Sequence, residues 1–241
     1  MRIAVVSDIH GNLTALEAVL EDLEKVSADL VVQGGDLVGG SRNADVIDLV
    51  RDRGWPGVYG NADEMLWMPD QVTRHVPGGR FEPLRNRVLT EAIPFLLREI
   101  GQERLAWLRN LPKRWTAGEL TVMHAGPDDV WHSPWANASD EELDACYGVL
   151  GCRTAAYGHI HQPFVRRLLN LTVANSGALS FSYDGDRRAA YIVIDGDDVV
   201  IRRVEYDVDE EIRWLSTVRY PDAEWIAQVY RAAAPIPPPA S

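Results

Sequence analysis

The sequence predicts an α/β protein made of one domain. Short β-branched runs alternate with helical patterns along the 241 residues, which is typical of α/β folds. Hydrophobic residues make up 46% of the chain and charged residues 25%, a balance that excludes a mainly disordered protein. The chain shows no internal repeat and no clear linker. We therefore expect a single domain over residues 1–241.

The amino-terminal half alternates predicted strands with predicted helices. The strands are short apolar runs rich in β-branched residues: Ile3–Val6, Leu30–Val32 and Val58–Tyr59. The helices lie around Leu16–Leu23 and Ala44–Asp52. Thr14 and Glu17 fit a capping box at the start of the first helix. From Glu64 to Asn110 the pattern is helical, but it is interrupted by Pro69, Pro77, Pro83 and Pro94.

The carboxyl-terminal half is richer in strands, which are predicted at Leu120–Met123, Thr154–Tyr157, Leu171–Ala174, Tyr191–Ile194 and Val199–Tyr206. The last three are closely spaced and separated by turn signals, so we expect them to form antiparallel hairpins. Strands and a helical stretch interrupted by Pro221 fill residues 186–231. Residues 232–241 form a proline-rich tail that cannot be helical.

Composition excludes several classes of protein. The net charge is −12, which argues against non-specific binding to duplex DNA because such binding depends on many Lys/Arg–phosphate contacts. The two cysteines, Cys146 and Cys152, are too few for a disulfide scaffold or a cysteine-rich zinc site. No apolar run approaches the roughly 20 residues that span a bilayer. Because the chain also begins without a signal-peptide pattern, we expect a cytoplasmic protein without a membrane partner.

Five of the apolar runs are followed directly by residues that can bind a metal ion. In chain order the segments are Ser7–Asn12, Gly34–Asp36, Gly60–Asp63, His124–Gly126 and Gly158–His161. Four of the six histidines lie in these segments. Loops at the carboxyl ends of strands meet in one crevice of an open α/β sheet, so we expect the side chains to lie close together.

The residue types narrow the choice of metal. Asp, Asn and His supply oxygen and imidazole ligands, and no thiolate is among them. Such a set suits Mn²⁺, Fe²⁺, Co²⁺, Ni²⁺ or Zn²⁺. Asp8 with His10, and His159 with His161, are pairs spaced by two residues. Each pair shares one face if its segment is extended, whereas in a turn its members can serve neighbouring metals.

The ordered set D-x-H, G-D, G-N-x-D, H-A-G and G-H-x-H resembles the calcineurin-like metallophosphoesterase superfamily, in particular its small prokaryotic phosphodiesterases. The resemblance covers about residues 1–185. It implies a four-layer αββα sandwich of two mixed sheets, with a dinuclear metal site at the carboxyl-terminal rim of the strands. One metal would be held by Asp8, His10, Asp36 and His161. Asp36 would bridge to a second metal held by Asn61, His124 and His159.

The resemblance also implies a reaction and a cofactor. Two divalent transition metals, with manganese as the expected ion, would activate a bridging water as the nucleophile and offset phosphoryl charge. Catalysis would depend on Asp8, Asp36, Asn61 and His124 through metal binding. The expected substrate is a small or nucleotide-like phosphodiester. Phosphomonoesters, phosphoproteins and dinucleoside polyphosphates remain alternative substrates, and a non-catalytic scaffold on the same fold remains an alternative class.

One position departs from the pattern of the family. Many members carry histidine where this chain has Ala62, and that histidine is placed to assist the leaving group. Asp63 remains and is expected to orient a neighbouring ligand or water. His75 and His132 could supply the missing proton from a loop, but we interpret both as solvated. Asn175-Ser176-Gly177 matches a segment that the family often has after its G-H-x-H strand, and we interpret it as a structural turn.

Several charged and aromatic residues have an ordinary structural interpretation. Five arginines could contact substrate phosphates, but we interpret them as solvated charges: Arg42, Arg74, Arg80, Arg85 and Arg87. Trp214, Trp225 and Tyr230 have partly helical spacing, and we expect them to pack on the body of the protein or on a partner subunit. A homo-oligomer formed through the carboxyl-terminal helix is one such arrangement.

Overall fold

Two β-sheets stacked face to face form the centre of the computed structural model, which describes residues 1–239. The strands in chain order are β1 (Arg2–Val6), β2 (Leu30–Gln33), β3 (Arg114–Ala117), β4 (Leu120–Met123), β5 (Thr154–Tyr157), β6 (Phe164–Arg167), β7 (Thr172–Asn175), β8 (Ala189–Asp195) and β9 (Asp198–Val204). The first sheet has the order β2-β1-β8-β9, and the second has the order β3-β4-β5-β7-β6. Both sheets are mixed, because β1–β2 and β4–β5–β7 run parallel while the remaining pairs are antiparallel.

Helices cover the outer faces of both sheets. They are α1 (Leu13–Val26), α2 (Asn43–Asp52), α3 (Asn61–Glu64), α4 (Asp70–His75), α5 (Glu82–Arg87), α6 (Ile93–Arg109), α7 (Asp140–Tyr147), α8 (Val208–Thr217) and α9 (Ala223–Ala232). A π-helical turn at Val88–Ala92 joins α5 to α6, and 3₁₀ turns lie at Gly79–Phe81 and Gly148–Leu150.

Three separate apolar clusters show that the fold has four layers. One cluster joins Ala4 and Val6 of β1 to helices on the outer face of the first sheet. Ile3 and Val5 point to the other side of β1, into a cluster shared between the two sheets. A third cluster packs α7 against the outer face of the second sheet. The predicted αββα sandwich is therefore confirmed. Burial of both faces explains why β1 is continuously apolar and does not alternate.

Two strand predictions are wrong. Val58–Tyr59 is not a strand, because this segment pairs with β2 only through an isolated bridge between Gln33 and Gly57. The expected hairpins are also only partly correct. β8 and β9 form an antiparallel hairpin, but β7 lies in the other sheet, parallel to β5. The chain between β7 and β8 crosses from one sheet to the other, and Leu179 donates a hydrogen bond to the carbonyl of Ser7 (3.1 Å) on the way.

The start of α1 also differs from the prediction. The helix begins at Leu13, and its cap is Asn12, whose side chain accepts a hydrogen bond from the Ala15 amide (2.9 Å). Thr14 forms no capping box, because its hydroxyl donates to Glu211 of α8 (3.0 Å). A capping box does occur at Ser139 and Glu142, at the start of α7. The sequence interpretation missed α7 and the edge strands β3 and β6.

The proline-interrupted region follows its prediction only in part, whereas the carboxyl terminus follows it. Helical structure in residues 64–110 is interrupted near Pro69 and Pro77, but Pro83 and Pro94 lie in the first turns of α5 and α6 and do not interrupt it. Pro221 separates α8 from α9, and residues 235–239 have no regular secondary structure. The last two residues of the predicted tail lie outside the described residues. Among residues 1–239, no helix combines the length and apolar character needed to cross a bilayer.

Candidate metal centre

Loops that follow four parallel strands converge at one rim of the sandwich. Asp8 and His10 follow β1, and Asp36 follows β2. In the second sheet, His124 follows β4, while His159 and His161 follow β5; Asn61 is the first residue of α3. All seven predicted ligands therefore lie in one region, and five of them are nine-tenths buried or more: Asp8, His10, Asp36, His124 and His161.

The backbone of these loops is strained. Five of the seven predicted ligands are non-glycine residues with a positive φ: Asp8 (55°), His10 (46°), Asp36 (54°), His159 (66°) and His161 (56°). Left-handed backbone costs energy for residues with a Cβ atom, and it is concentrated where a function maintains it. Both D-x-H and H-x-H therefore lie in turns, not in extended segments.

The first group of ligand atoms surrounds the Asp8 carboxylate. Asp8 Oδ1 lies 3.0 Å from His161 Nε2 and 3.9 Å from His10 Nε2. The side chains of Asp8, His10 and His161 bring their ligand atoms within 4.8 Å of one another. The backbone amide of His159 also donates to both Asp8 oxygens, at 3.2 and 3.0 Å. This contact fixes the carboxylate between the loops that follow β1 and β5.

Asp36 lies between the first group and His124. Its Oδ2 atom is 3.6 Å from His10 Nε2 and 3.5 Å from His124 Nε2. Its other oxygen accepts a hydrogen bond from the Ala62 amide (2.7 Å), which leaves Oδ2 directed between the two rings. A second cluster of ligand atoms within 4.8 Å consists of Asp8, Asp36 and His124. Asp36 thus has the position of a ligand shared between two adjacent sites.

The second group centres on the Asn61 amide. Its oxygen lies 2.9 Å from His124 Nε2 and 2.9 Å from His159 Nδ1. In the opposite amide orientation the Asn61 nitrogen donates to both rings and to the Val130 carbonyl. A cation held by these residues would favour the first orientation, because a metal needs the amide oxygen as its ligand.

The histidine rings are oriented as metal ligands usually are. Nδ1 of His10, His124 and His161 lies 2.8–2.9 Å from the backbone carbonyls of Val38, Gly34 and Phe181, respectively. Each Nδ1–H therefore donates to a carbonyl, and the lone pair on Nε2 points to the centre. His10 Nε2 is buried and has no hydrogen-bond partner among the described residues. A buried acceptor without a donor costs free energy, and a divalent cation would satisfy it.

Burial and proximity shift the pKa values in the centre. Burial lowers the pKa of His10 and of His159 to about 3, so both rings are neutral at physiological pH. Burial, with Asp63 and Asp8 nearby, raises the pKa of Asp36 well above its ordinary value. Burial also opposes ionisation of Asp8, but His161 holds the pKa of Asp8 below its ordinary value. The carboxyl and imidazole groups of the centre lie together in a buried site whose ligand types suit a cation.

The Asp63 carboxylate holds the backbone of the loop that carries Asp36. Its carboxylate accepts hydrogen bonds from the amides of Asp36 (2.9 Å), Leu37 (3.0 Å) and Gly60 (2.9 Å). Gly60 must be glycine, since a Cβ there would lie 2.1 Å from Asp36 Oδ1. Asp63 therefore positions the backbone of Asp36, in agreement with the orienting role expected for it.

Asn175-Ser176-Gly177 supports the loop after β5. The Asn175 amide donates to the Gly158 carbonyl (2.6 Å), and its oxygen accepts from the Gly177 amide (2.8 Å). Gly177 has a φ of 71°, and Asn175 is fully buried. These contacts agree with the interpretation as a structural turn. The segment holds the backbone next to His159 and His161 without pointing a side chain at the centre.

A cleft of about 320 Å³ opens beside the ligands. His10, Asp36, Asn61, His159 and His161 line one end of it. The lining also includes a first arm, consisting of Leu84, Val88 and Ala92, and a second arm, consisting of Tyr220, Trp225, Ile226 and Val229. Sequence reasoning missed this wall, because apolar residues at helical spacing have the same pattern in a cleft as in a core.

His75 and His132 do not line the cleft. His75 Nδ1 lies 3.3 Å from His132 Nε2, and His132 Nδ1 lies 2.6 Å from Asp129 Oδ2. The His132 side chain is 62% exposed, and the His75 ring stacks on Trp131. The two histidines thus form a surface pair; His132 is solvated, as interpreted, whereas His75 is the last residue of α4 and is half-buried.

The predicted arginines are also absent from the described lining of the cleft. Arg42 pairs with Glu211 (3.2 Å), and Arg87 pairs with Asp222 (2.8 Å). Tyr230 is buried in the core, which confirms its packing, whereas Trp214 is 36% exposed and lies under the Arg42 guanidinium. Trp225 packs on the same core but also faces the cleft.

Comparisons with known proteins agree with this arrangement. A family model described as a calcineurin-like phosphoesterase superfamily domain matches residues 1–198. An uncharacterised protein of Methanocaldococcus jannaschii is 29% identical over 94% of this chain and 96% of its own length. The crystal structure of a metallophosphoesterase from Sphaerobacter thermophilus is 26% identical, with a TM-score of 0.79 over 97% of this chain and 99% of that one. A hypothetical protein of Pyrococcus horikoshii has the same fold, with a TM-score of 0.80 over 98% of this chain and 99% of that one at 16% identity.

Proposed function

This chain belongs to the calcineurin-like phosphoesterase superfamily, and we propose that its centre holds two divalent metal ions that serve the hydrolysis of phosphodiesters. The chain is a metal-dependent phosphoester hydrolase, and the buried cluster of carboxylates and imidazoles is its metal-binding site. The number of metals, their identity and the class of ester are the parts that we propose.

The position of Asp36 carries the proposal of two metals. Its Oδ2 atom lies 3.6 Å from His10 Nε2 and 3.5 Å from His124 Nε2, and these two rings belong to different groups of ligands. One site would be formed by Asp8, His10, Asp36 and His161, and the other by Asp36, Asn61, His124 and His159. Oxygen and imidazole ligands without thiolate suit manganese, iron, cobalt, nickel or zinc. We propose manganese as the working ion.

Bound metals would supply an activated water and offset the charge of the phosphoryl group. The protein contributes the geometry. Backbone carbonyls hold the Nδ1 atoms of three histidine rings, so that their Nε2 atoms face the centre. Asp63 fixes the loop that carries Asp36. Because these contacts form before substrate binds, little reorganisation is needed during the reaction.

The cleft favours a diester over more highly charged substrates. A phosphodiester carries one negative charge, whereas monoesters and dinucleoside polyphosphates carry more. No lysine or arginine is among the described residues that line the cleft, and the Asp222 carboxylate, which does line it, is paired with Arg87. Additional phosphate charge would therefore be desolvated without a cationic side chain to offset it. A diester also has a second organic substituent, for which the cleft provides space.

The test is a comparison of matched esters with manganese-loaded protein. Bis(p-nitrophenyl) phosphate, p-nitrophenyl phosphate and a dinucleoside polyphosphate are assayed across Mn²⁺, Fe²⁺, Co²⁺, Ni²⁺ and Zn²⁺. We expect the highest kcat/KM for the diester, and loss of activity after chelation with recovery on adding metal back. A kcat/KM at least as high for the monoester or the polyphosphate would refute the assignment as a phosphodiesterase.

A further inference from the structure

We propose that the cleft binds the non-leaving substituent of the substrate and that this substituent is an uncharged aromatic group. This inference rests on the proposed phosphodiesterase function, because only a diester has such a substituent beside the bond that breaks. It assigns a role to the two arms and, in particular, to Trp225 as a specificity-determining residue.

The position of the cleft supports a role in substrate binding. It is continuous with the centre, since His10, Asp36, Asn61, His159 and His161 line one end. Its volume of about 320 Å³ lies at the lower end of the range of small-molecule sites, roughly 300–1000 Å³. A phosphoryl group held by the centre would therefore direct one of its substituents between the arms.

Contacts between the arms keep the cleft in shape. Arg87, at the end of α5, donates to Asp222, just before α9 (2.9 Å), and both side chains are largely buried. Phe95 packs edge-on against Tyr220, with ring centroids 5.3 Å apart. Trp225 is fixed by its indole N–H, which donates to the Ile236 carbonyl (3.1 Å). A preformed slot binds a rigid group with less loss of conformational entropy than a flexible one.

Aromatic side chains continue from the arms to the metal ligands. The Phe181 ring packs edge-on against His10, at 5.1 Å between centroids, and stacks on Tyr230 at 4.9 Å. Tyr183 stacks on His161 with 4.9 Å between centroids and 14° between planes. Both Phe181 and Tyr183 line the cleft. A substituent leaving the centre thus meets aromatic surface first, and aromatic pairs gain free energy beyond the area they bury.

The chemistry of the lining excludes charged and strongly polar substituents. The first arm, together with Ile226 and Val229 of the second, offers carbon atoms only, and the indole N–H of Trp225 is engaged with the Ile236 carbonyl. The Arg87 guanidinium is engaged with the Asp222 carboxylate. A second anionic group in the cleft would meet no unpaired cationic side chain among the described lining residues, and the hydroxyl groups of a sugar would face mainly carbon atoms along the two arms. An aromatic ring has no charged or hydroxyl group that must give up hydrogen bonds to water, so its transfer into the cleft is favourable.

The second arm lies outside the region that defines the family. The family model matches residues 1–198, whereas Tyr220, Trp225, Ile226 and Val229 come from later in the chain. The catalytic residues and this part of the substrate wall are therefore separate parts of the sequence. This separation fits a specificity element added to a general phosphoesterase centre.

The test uses two diesters that share a p-nitrophenolate leaving group and differ only in the other substituent: p-nitrophenyl phenyl phosphate and p-nitrophenyl methyl phosphate. We expect the manganese-loaded enzyme to favour the phenyl ester in kcat/KM by about 10-fold or more, since burial of a ring contributes more than burial of a methyl group. Trp225→Ala on the second arm and Leu84→Ala on the first should each reduce that ratio at least about 3-fold. Gln228→Ala, an exposed position on α9, is the matched control and should leave the ratio unchanged.

A binding measurement separates this inference from the proposed function. Calorimetry with phenylphosphonate and methylphosphonate reports the same preference without turnover. Equal affinities and equal kcat/KM values in the unaltered protein would overturn the aromatic site while leaving the phosphodiesterase function intact. A phenyl preference that persists in both arm variants would also overturn it, because the ring would then bind elsewhere. Preferential binding of phenylphosphonate that is lost in Trp225→Ala would support the site even if no diester were hydrolysed.

Discussion

The metal centre and the two arms of the cleft face the same opening but are built in opposite ways. The centre consists of buried polar side chains on short loops, such as Asp36 and His124, and hydrogen bonds to the backbone fix their positions. The arms consist of apolar side chains on helices, such as Val88 and Trp225, which are positioned by packing. Hydrogen bonds fix the direction in which a side chain points, and a metal ligand must point at the metal. Packing of apolar side chains fixes the shape of a surface, and the shape of the cleft determines which substituent fits.

We therefore expect the centre to determine the rate of hydrolysis and the arms to determine the preference between substrates. Substitutions in the centre should reduce the hydrolysis of every ester, because they remove chemistry that all substrates share. Substitutions in the arms should change the ratio between substrates. Single substitutions can therefore distinguish a residue that supports catalysis from one that selects the substrate.

The largest effect is expected from removing a ligand in the centre. His161→Ala should lower kcat by about 10²–10³-fold for all esters, since the Nε2 atom next to Asp8 is lost. The matched control is His132→Ala, which should change kcat less than about 3-fold because His132 is exposed and paired with Asp129. Circular dichroism would confirm that both variants fold. A loss of about 10²-fold in His132→Ala would extend the catalytic centre to the surface pair of histidines.

A smaller loss of activity is expected when the residue that supports a ligand, and not the ligand itself, is replaced. Asp63→Asn replaces a carboxylate that accepts four backbone N–H bonds by an amide whose NH₂ group must face some of them. We expect a loss of about 10–100-fold in activity or metal affinity, with the substrate ratio unchanged. Asp209→Asn, at an exposed aspartate of α8, is the control. A changed substrate ratio in Asp63→Asn would show that the loop also shapes the cleft.

Ala62 lies where the two regions meet, and its methyl group has no proton to give to a leaving group. Diesters with acidic phenols should therefore react well and alkyl esters slowly, with a steep dependence of kcat/KM on leaving-group pKa. Ala62→His should accelerate alkyl esters by about 10-fold or more, and Ala62→Leu, similar in bulk but without a proton, should not. A flat dependence with chemistry rate-limiting would mean that another residue supplies the proton.

The smallest effect concerns protons released when metal binds. In the metal-free centre, burial raises the pKa of Asp36, and Asp8 raises that of His161 against the effect of burial. Both must lose a proton to bind metal, so affinity should rise with pH. His10 and His159, with a pKa of about 3, are already neutral at pH 6 and release none. Calorimetry in buffers of different ionisation enthalpy should show fewer protons released on metal binding by Asp36→Asn than by the unaltered protein. An equal number would contradict the raised pKa of Asp36.

The centre could be predicted from sequence because its signals are local. Asp8-x-His10 and Gly158-His159-x-His161 each follow a buried strand, and the rule that such strand ends converge is enough to bring them together. The alternation of strands and helices predicted only the α/β class, and the resemblance to a family implied the four-layer sandwich. The resemblance to a family supplied the grouping of the ligands around Asp36, which spacing alone does not determine.

The arms could not be predicted, because their signal is identical to that of a core. Val229 and Tyr230 are neighbours on α9 and both are buried, yet only Val229 lines the described cleft. The pairing of β7 also escaped prediction. Because β7 and β8 are close in sequence, a hairpin between them was predicted. In the structure, residues 176–188 instead connect the two sheets and pass beside the centre. The hydrogen bond from Thr14 to Glu211 joins residues 197 positions apart, so the sequence around Thr14 does not reveal it and the local pattern predicts a capping box instead.

The central claim is that Asp36 is shared between two metal ions, and anomalous diffraction from manganese-loaded crystals tests it most directly. The account predicts two anomalous peaks, with Asp36 in contact with both. Asp8, His10 and His161 should surround one peak, and Asn61, His124 and His159 the other. A single peak at full manganese loading, or two peaks of which only one contacts Asp36, would contradict the claim.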